Sequence, residues 1–111
     1  MDAALDIAGW IEPDALARAK ALTTTLGLSD HVSFGGSYTQ QKAPDIYRRA
    51  DAYLMTKHND PCPNTVLEAL ACGLPVVYSR SGGVPELVGD CGVGLKCEES
   101  WEEAKLSLIH I

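Results

Sequence analysis

Two carboxylates, Asp60 and Glu68, bracket the entrance of a short apolar helix, and their types and spacing are the most chemically suggestive feature of the chain. Residues 59–77 read Asn-Asp-Pro-Cys-Pro-Asn-Thr-Val-Leu-Glu-Ala-Leu-Ala-Cys-Gly-Leu-Pro-Val-Val: a turn, a helix with one mid-helix carboxylate, a Gly-Leu-Pro stop and an apolar strand. A loop entering a helix N-terminus presents N–H groups that the helix itself does not use, here from about Asn64, Thr65 and Val66, with the positive end of the helix dipole behind them. Those donors suit an anion without many basic side chains, while Asp60 and Glu68 suit neutral hydroxyls. A phosphorylated sugar carries both kinds of group.

Glu68 stands three residues beyond Thr65, on a polar stripe between Val66, Leu67, Leu70 and Ala71, so it is placed to face a ligand instead of the core. A carboxylate there accepts from paired hydroxyls such as those of a ribose. A second candidate is Ser81-Gly82-Gly83-Val84-Pro85-Glu86, where two glycines let the backbone approach a ligand and Pro-Glu suits a first helical turn. Arg48, Arg49, Lys57 and Arg80 are cations able to pair with phosphate, and of these Lys57 and Arg80 fall in the loops of interest. On residue types alone the same positions also suit a turn-forming Asp60, a solvated Glu68 and an ordinary helix start at Pro85.

The elements that must hold these residues alternate short apolar runs with amphipathic helices, a pattern that implies a parallel sheet. Strands are expected at 4–10, 32–34, 52–56, 75–79 and, more weakly, 93–95. Helices are expected from Pro13 through 15–26, where Leu16, Ala19, Leu22 and Leu26 recur at helical spacing before Gly27, then at 40–50, 64–72 with Gly73 as C-cap, and 85–88. An acidic helix is expected from Ser100, and residues 105–111 form a tail of no clear pattern. In open parallel sheets ligands bind at the carboxyl ends of strands, which places the loops at 57–63 and 80–84 together as the candidate site.

Composition bounds the rest. The 111 residues, 46% hydrophobic, suffice for one domain. A net charge of −6 leaves no basic face for a phosphate backbone, so nucleic acid is not an expected partner. No apolar run is long enough to cross a membrane, and the first residues lack the basic start and apolar core of a signal peptide, from which a cytoplasmic location is expected. Cys62, Cys72, Cys91 and Cys97 show no C-x-x-C pair, which points to reduced, partly buried thiols and no metal site. His31, His58 and His110 show no spacing that suggests a shared site. A dinucleotide-binding oxidoreductase is excluded because Gly9 is followed by Trp10-Ile11-Glu12 and not by G-x-G-x-x-G.

Residues 66–77 (Val-Leu-Glu-Ala-Leu-Ala-Cys-Gly-Leu-Pro-Val-Val) followed by Gly82-Gly83-Val84-Pro85-Glu86 resemble the donor-binding part of the retaining nucleotide-sugar glycosyltransferases of the GT-B fold, family 4 type. Weaker similarity covers Ile7-Ala8-Gly9, residues 26–36 and Tyr47-Arg48-Arg49-Ala50-Asp51, so that the resemblance spans about residues 5–95. It implies a Rossmann-like three-layer α/β sandwich with a mostly parallel sheet of about five strands, one half of a GT-B fold. It also implies transfer of a sugar from a nucleoside diphosphate with retention, without an obligatory metal or other cofactor.

In that family two Glu residues separated by seven others flank the donor, the first near the transferred sugar and the second on the ribose hydroxyls. The resemblance therefore gives Asp60 the catalytic, sugar-side position, one methylene shorter than usual, and Glu68 the ribose. Asn64, Thr65, Val66, Gly82 and Gly83 are the remaining donor-binding residues it implies. Pro63 stands where many relatives have glycine and removes one N–H donor, which leaves the donors to be supplied by Cys62, Asn64, Thr65 and Val66. Relatives carry an N-terminal acceptor domain and a basic strand-turn-helix before the point matching Met1. Residues 1–104 are accordingly expected to be a truncated donor domain, inactive alone, with its first strand and the strand after Lys57 left with unpaired edges. Such edges suggest the alternative of a non-catalytic module that self-associates as a homo-oligomer.

Overall fold

A computed structural model describes residues 2–57 and 59–96; the expected helix from Ser100, the tail at 105–111, His58, Cys97 and His110 lie outside the described residues. The chain divides into two compact units, Met1–Lys42 and Ala43–Ile111.

In the first unit, β1 (Leu5–Ala8), α1 (Pro13–Thr25) and β2 (Val32–Gly36) form one strand-helix-strand unit with β1 and β2 parallel. The register pairs Asp6 with Ser33, and the Ser33 hydroxyl donates to the Asp6 carboxylate across it. Helix α1 begins on a side-chain cap: both Glu12 carboxylate oxygens accept, one from the Asp14 N–H and one from the Ala15 N–H, each at 3.0 Å. Pro13 in the first turn fits because its missing N–H has no partner in a helix anyway. The inner face of α1 runs through Leu16, Ala19 and Thr23, all half-buried, while Leu22 and Leu26 of the expected stripe are exposed. β1 has β2 as its one strand neighbour among the described residues.

The second unit contains α2 (Ala43–Arg48), β3 (Tyr53–Met55), α3 (Asn64–Ala71), β4 (Val76–Ser79), α4 (Val84–Val88) and β5 (Gly92–Leu95). Its strands pair in parallel in the order β3-β4-β5. The expected parallel α/β architecture is present, with five strands shared between a two-stranded and a three-stranded sheet. β4, the strand after Lys57, is hydrogen-bonded on both sides, which corrects the expectation that its backbone would lie unpaired. Its central place explains its apolar sequence: Val76 and Tyr78 are buried and Val77 and Ser79 half-buried.

Helix α2 is shorter than the 40–50 expected because Pro44 cannot lie inside a helix; its ring would meet the carbonyl four residues back, so the helix starts at Ala43 with Pro44 in its first turn. Helix α3 buries Val66 and Ala69, in line with the buried Pro63 that precedes the helix, a three-residue repeat along one face. Together with Tyr47, Met55, Leu74, Val76, Tyr78, Val84 and Val88, Val66 and Ala69 form the core of this unit. Fully buried Val66, Val76 and Val84 each contribute about 2 kcal/mol of apolar transfer. Gly73, at φ +79°, ends α3 in the left-handed conformation that lets the chain turn into Leu74 and Pro75.

Candidate functional site

Two loops meet at the carboxyl ends of β3 and β4. Within them the Asn59 N–H donates to the Ser81 Oγ at 2.9 Å, and the Gly83 N–H donates to the Asp60 carbonyl at 3.0 Å. The approach is backbone to backbone. A Cβ at Gly82 would overlap the Asp60 carbonyl, and one at Gly83 would overlap the Pro61 carbonyl. Gly82 also has φ +59°, a conformation that side-chain-bearing residues adopt at a cost. The two glycines singled out in the sequence therefore act locally, by letting the loop at 81–83 close onto the loop at 59–61.

Asp60 is the polar centre of this junction. Its Oδ1 accepts from the Cys62 N–H at 3.1 Å and its Oδ2 pairs with the Lys57 ammonium at 3.1 Å. The Asp60 side chain is 15% exposed, whereas that of Lys57 is 70% exposed. The hydrogen bond and charge of Lys57, with the Cys62 N–H, hold the Asp60 carboxyl below its usual range, and partial burial works in the opposite direction. Lys57, one of the two cations sequence spacing assigned to the loops, is thus bound to a carboxylate of its own loop. The other, Arg80, lays its side chain over Gly94 on β5.

Helix α3 opens directly out of this junction. Its N-cap is Pro63, which makes no side-chain cap hydrogen bond, and no acidic residue stands in its first turn. Two of the expected donors are engaged within the chain: the Cys62 N–H donates to Asp60 Oδ1, and the Val66 N–H to the Pro63 carbonyl at 3.2 Å, a tightened first turn. The Asn64 and Thr65 N–H groups have no acceptor among the described residues and point out of the helix with its positive dipole end.

One turn further, Glu68 is half-buried, and its Oε2 accepts from the Tyr47 hydroxyl of α2 at 2.9 Å. Thr65 Oγ1 accepts from the Tyr53 hydroxyl of β3 at 2.8 Å. Tyr47 and Tyr53 meet edge to face, centroids 6.0 Å apart and planes at 68°. The polar stripe of α3 is therefore gripped by two tyrosines, a feature no spacing rule connects, since Tyr47 and Glu68 lie 21 positions apart. The available signal was chemical: a buried tyrosine hydroxyl needs a partner. Leu67, expected to flank the stripe on the apolar side, is 42% exposed.

Outside this cluster, the first unit carries a groove of about 210 Å³ at the carboxyl ends of β1 and β2, among Gly9, Trp10, Lys20, Phe34 and Gly36, which the sequence did not suggest. No group of three or more potential metal ligands occurs among the described residues. Cys62, Cys72 and Cys91 are free thiols; Cys62 and Cys91 are exposed, which corrects the expectation of partial burial for these two. No helix among the described residues is long and apolar enough to cross a membrane.

The model of the glycosyl transferases group 1 family matches residues 1–111. A D-inositol 3-phosphate glycosyltransferase of Mycobacteroides abscessus is 34% identical over 100 residues, 86% of this chain and 22% of that protein. A mannosylfructose-phosphate synthase of Agrobacterium fabrum is 37% identical over 73 residues, 66% of this chain and 16% of that protein. Among solved structures, Anabaena Alr3699/HepE in complex with UDP-glucose superposes with a TM-score of 0.72 at 27% identity, over 96% of this chain and 30% of that one. The complex of the same protein with UDP and glucose gives 0.73 at 28% identity, over 93% and 29%. The chain spans about a fifth of the length of the curated relatives it matches.

Proposed function

The chain belongs to the glycosyl transferases group 1 family, with a Rossmann-like α/β fold of the GT-B kind, and we propose that residues 1–104 are the donor-binding portion of an enzyme transferring a sugar from a nucleoside diphosphate with retention. The observation that carries this reading is the uncapped entrance of α3. Two outward N–H groups, Asn64 and Thr65, stand beside a loop junction closed by Gly82 and Gly83 and one turn from the half-buried Glu68. An anion at that entrance meets N–H donors and the helix dipole, and hydroxyls one turn along meet a carboxylate able to accept two of them.

In this reading the diphosphate lies at Asn64 and Thr65, the Gly82-Gly83 turn shapes the wall beside it, and Glu68 holds the ribose. Asp60 stands on the sugar side, its negative charge maintained by Lys57 and the Cys62 N–H so that it favours positive charge developing at the transferred carbon. Turnover belongs to the full-length protein, in which an acceptor domain faces the donor. The similarity to a protein solved with UDP-glucose supports a uridine nucleotide as the first donor to try. The free thiols support a reducing, cytoplasmic setting, with a peripheral membrane position for the full-length protein if its acceptor is a lipid.

Calorimetry on the full-length protein with UDP-, GDP- and ADP-glucose tests this. One of the three should bind, and Glu68→Ala should weaken it at least tenfold, the scale of a lost hydrogen bond to a charged group. Binding of none, or unchanged binding after Glu68→Ala, would remove the site assignment. Among the described residues β1 pairs with β2 alone, which favours a second reading, self-association through a sheet edge. A strictly monomeric mass for this chain in solution counts against it.

A further inference from the structure

Glu68 is the residue on which ribose recognition rests in the reading above, and a glutamate on a helix surface is a flexible side chain that loses rotamer freedom when it is held. Here it is held before any ligand arrives. The Tyr47 hydroxyl gives its one proton to Oε2 at 2.9 Å, with the Thr65 carbonyl of the same helix a more distant alternative acceptor at 3.4 Å. Tyr47 is itself fixed: it is 7% exposed, belongs to the core, and packs edge to face on the Tyr53 ring. A phenol donating to a carboxylate makes a charge-assisted bond. With one oxygen so engaged, the carboxylate retains lone pairs for two hydroxyls.

We propose that Tyr47 is a positioning residue for nucleotide recognition, which fixes the Glu68 carboxylate in the orientation that accepts the paired ribose hydroxyls and thereby sets the preference of the site for ribonucleotides. The proposal rests on the assignment of Glu68 to the ribose. Tyr47 does not touch the ligand; its contribution is the immobilisation of one long side chain in advance, worth about three- to tenfold in affinity. That contribution disappears for a ligand without the two hydroxyls, whereas general damage to the fold weakens both ligands together.

The test is calorimetry on the full-length protein with UDP, GDP and ADP and the 2′,3′-dideoxy form of each, the tightest pair being carried through the variants Tyr47→Phe, Tyr53→Phe and Glu68→Gln. Wild type should prefer the ribonucleotide, and Glu68→Gln should remove most of that preference. Tyr47→Phe, which keeps the ring and its packing, should reduce the ratio about three- to tenfold while leaving the affinity for the dideoxy ligand near wild type. Tyr53→Phe should leave the ratio unchanged. If Glu68→Gln lowers the ratio and Tyr47→Phe does not, or if Tyr53→Phe lowers it as much as Tyr47→Phe, the positioning role is overturned and the ribose assignment stands. If Glu68→Gln leaves the ratio intact, or no diphosphate binds, the ribose assignment falls and the role of Tyr47 with it.

Discussion

Helices α1 and α3 each follow a parallel strand of their unit, and their first turns are finished in opposite ways. At α1 the chain supplies its own anion: the Glu12 carboxylate accepts from two of the first N–H groups. At α3 the residue in the same capping position is Pro63, which has no side-chain acceptor, and the first turn carries no acid. A helix entrance is a site for negative charge in both cases. The difference is whether the occupant is built into the sequence or left to come from outside. The surroundings follow the same division, since α3 opens beside a junction of two loops held together at Gly82 and Gly83, with a tethered carboxylate one turn along.

The largest expected way to break this contrast is at the junction. Gly83→Ala places a methyl group against the Pro61 carbonyl, backbone that cannot rotate aside. The expected outcome is a loss of about 3 kcal/mol in thermal or denaturant unfolding of the full-length protein, together with loss of nucleotide binding. An equal substitution at Gly27, where a Cβ would meet nothing within 4 Å, should leave nucleotide binding intact despite its positive φ.

Removing the built-in anion sharpens the contrast from the other side. Glu12→Ala should cost about 1 kcal/mol of stability, the usual value of a lost helix cap, without altering nucleotide affinity. The smallest effect is expected at Asp60. Its carboxyl is held below the ordinary value of 3.8 mainly by Lys57, so its contribution is fully present above that pH and is lost as pH falls through the lower folded-state value. The stability difference between wild type and Asp60→Asn should therefore be flat from about pH 5 to 8 and vanish in acid. A difference that changes near neutrality would show that Asp60 is not held in this way.

How far the sequence revealed this arrangement depended on the range of each interaction. The α3 helix, its Gly73 terminus and the following β4 were legible because each rests on local chemistry: a run of helix-forming apolar residues around Glu68, a left-handed glycine, and a run of apolar β-formers, although the buried face of α3 carries Val66 and Ala69 while Leu67 and Ala71 are exposed. The start of α2 was also written locally, in Pro44, although the apolar pattern around it suggested a longer helix. What the pattern did not reveal was long-range. The bond from Tyr47 to Glu68 and the backbone contact of Gly83 with Asp60 each depend on how separate elements come together. Asn64, Thr65 and Val66 looked equivalent as donors in the sequence, whereas a tightened first turn puts the Val66 N–H onto the Pro63 carbonyl three residues back.

The most direct measurement is a crystal structure of the full-length protein with UDP-glucose. The expected result is diphosphate oxygen within hydrogen-bond distance of the Asn64 or Thr65 N–H, and both ribose hydroxyls on the Glu68 carboxylate while Tyr47 remains bound to it. A diphosphate seated elsewhere, with Glu68 touching Tyr47 alone, would contradict the assignment of the α3 entrance as the donor site.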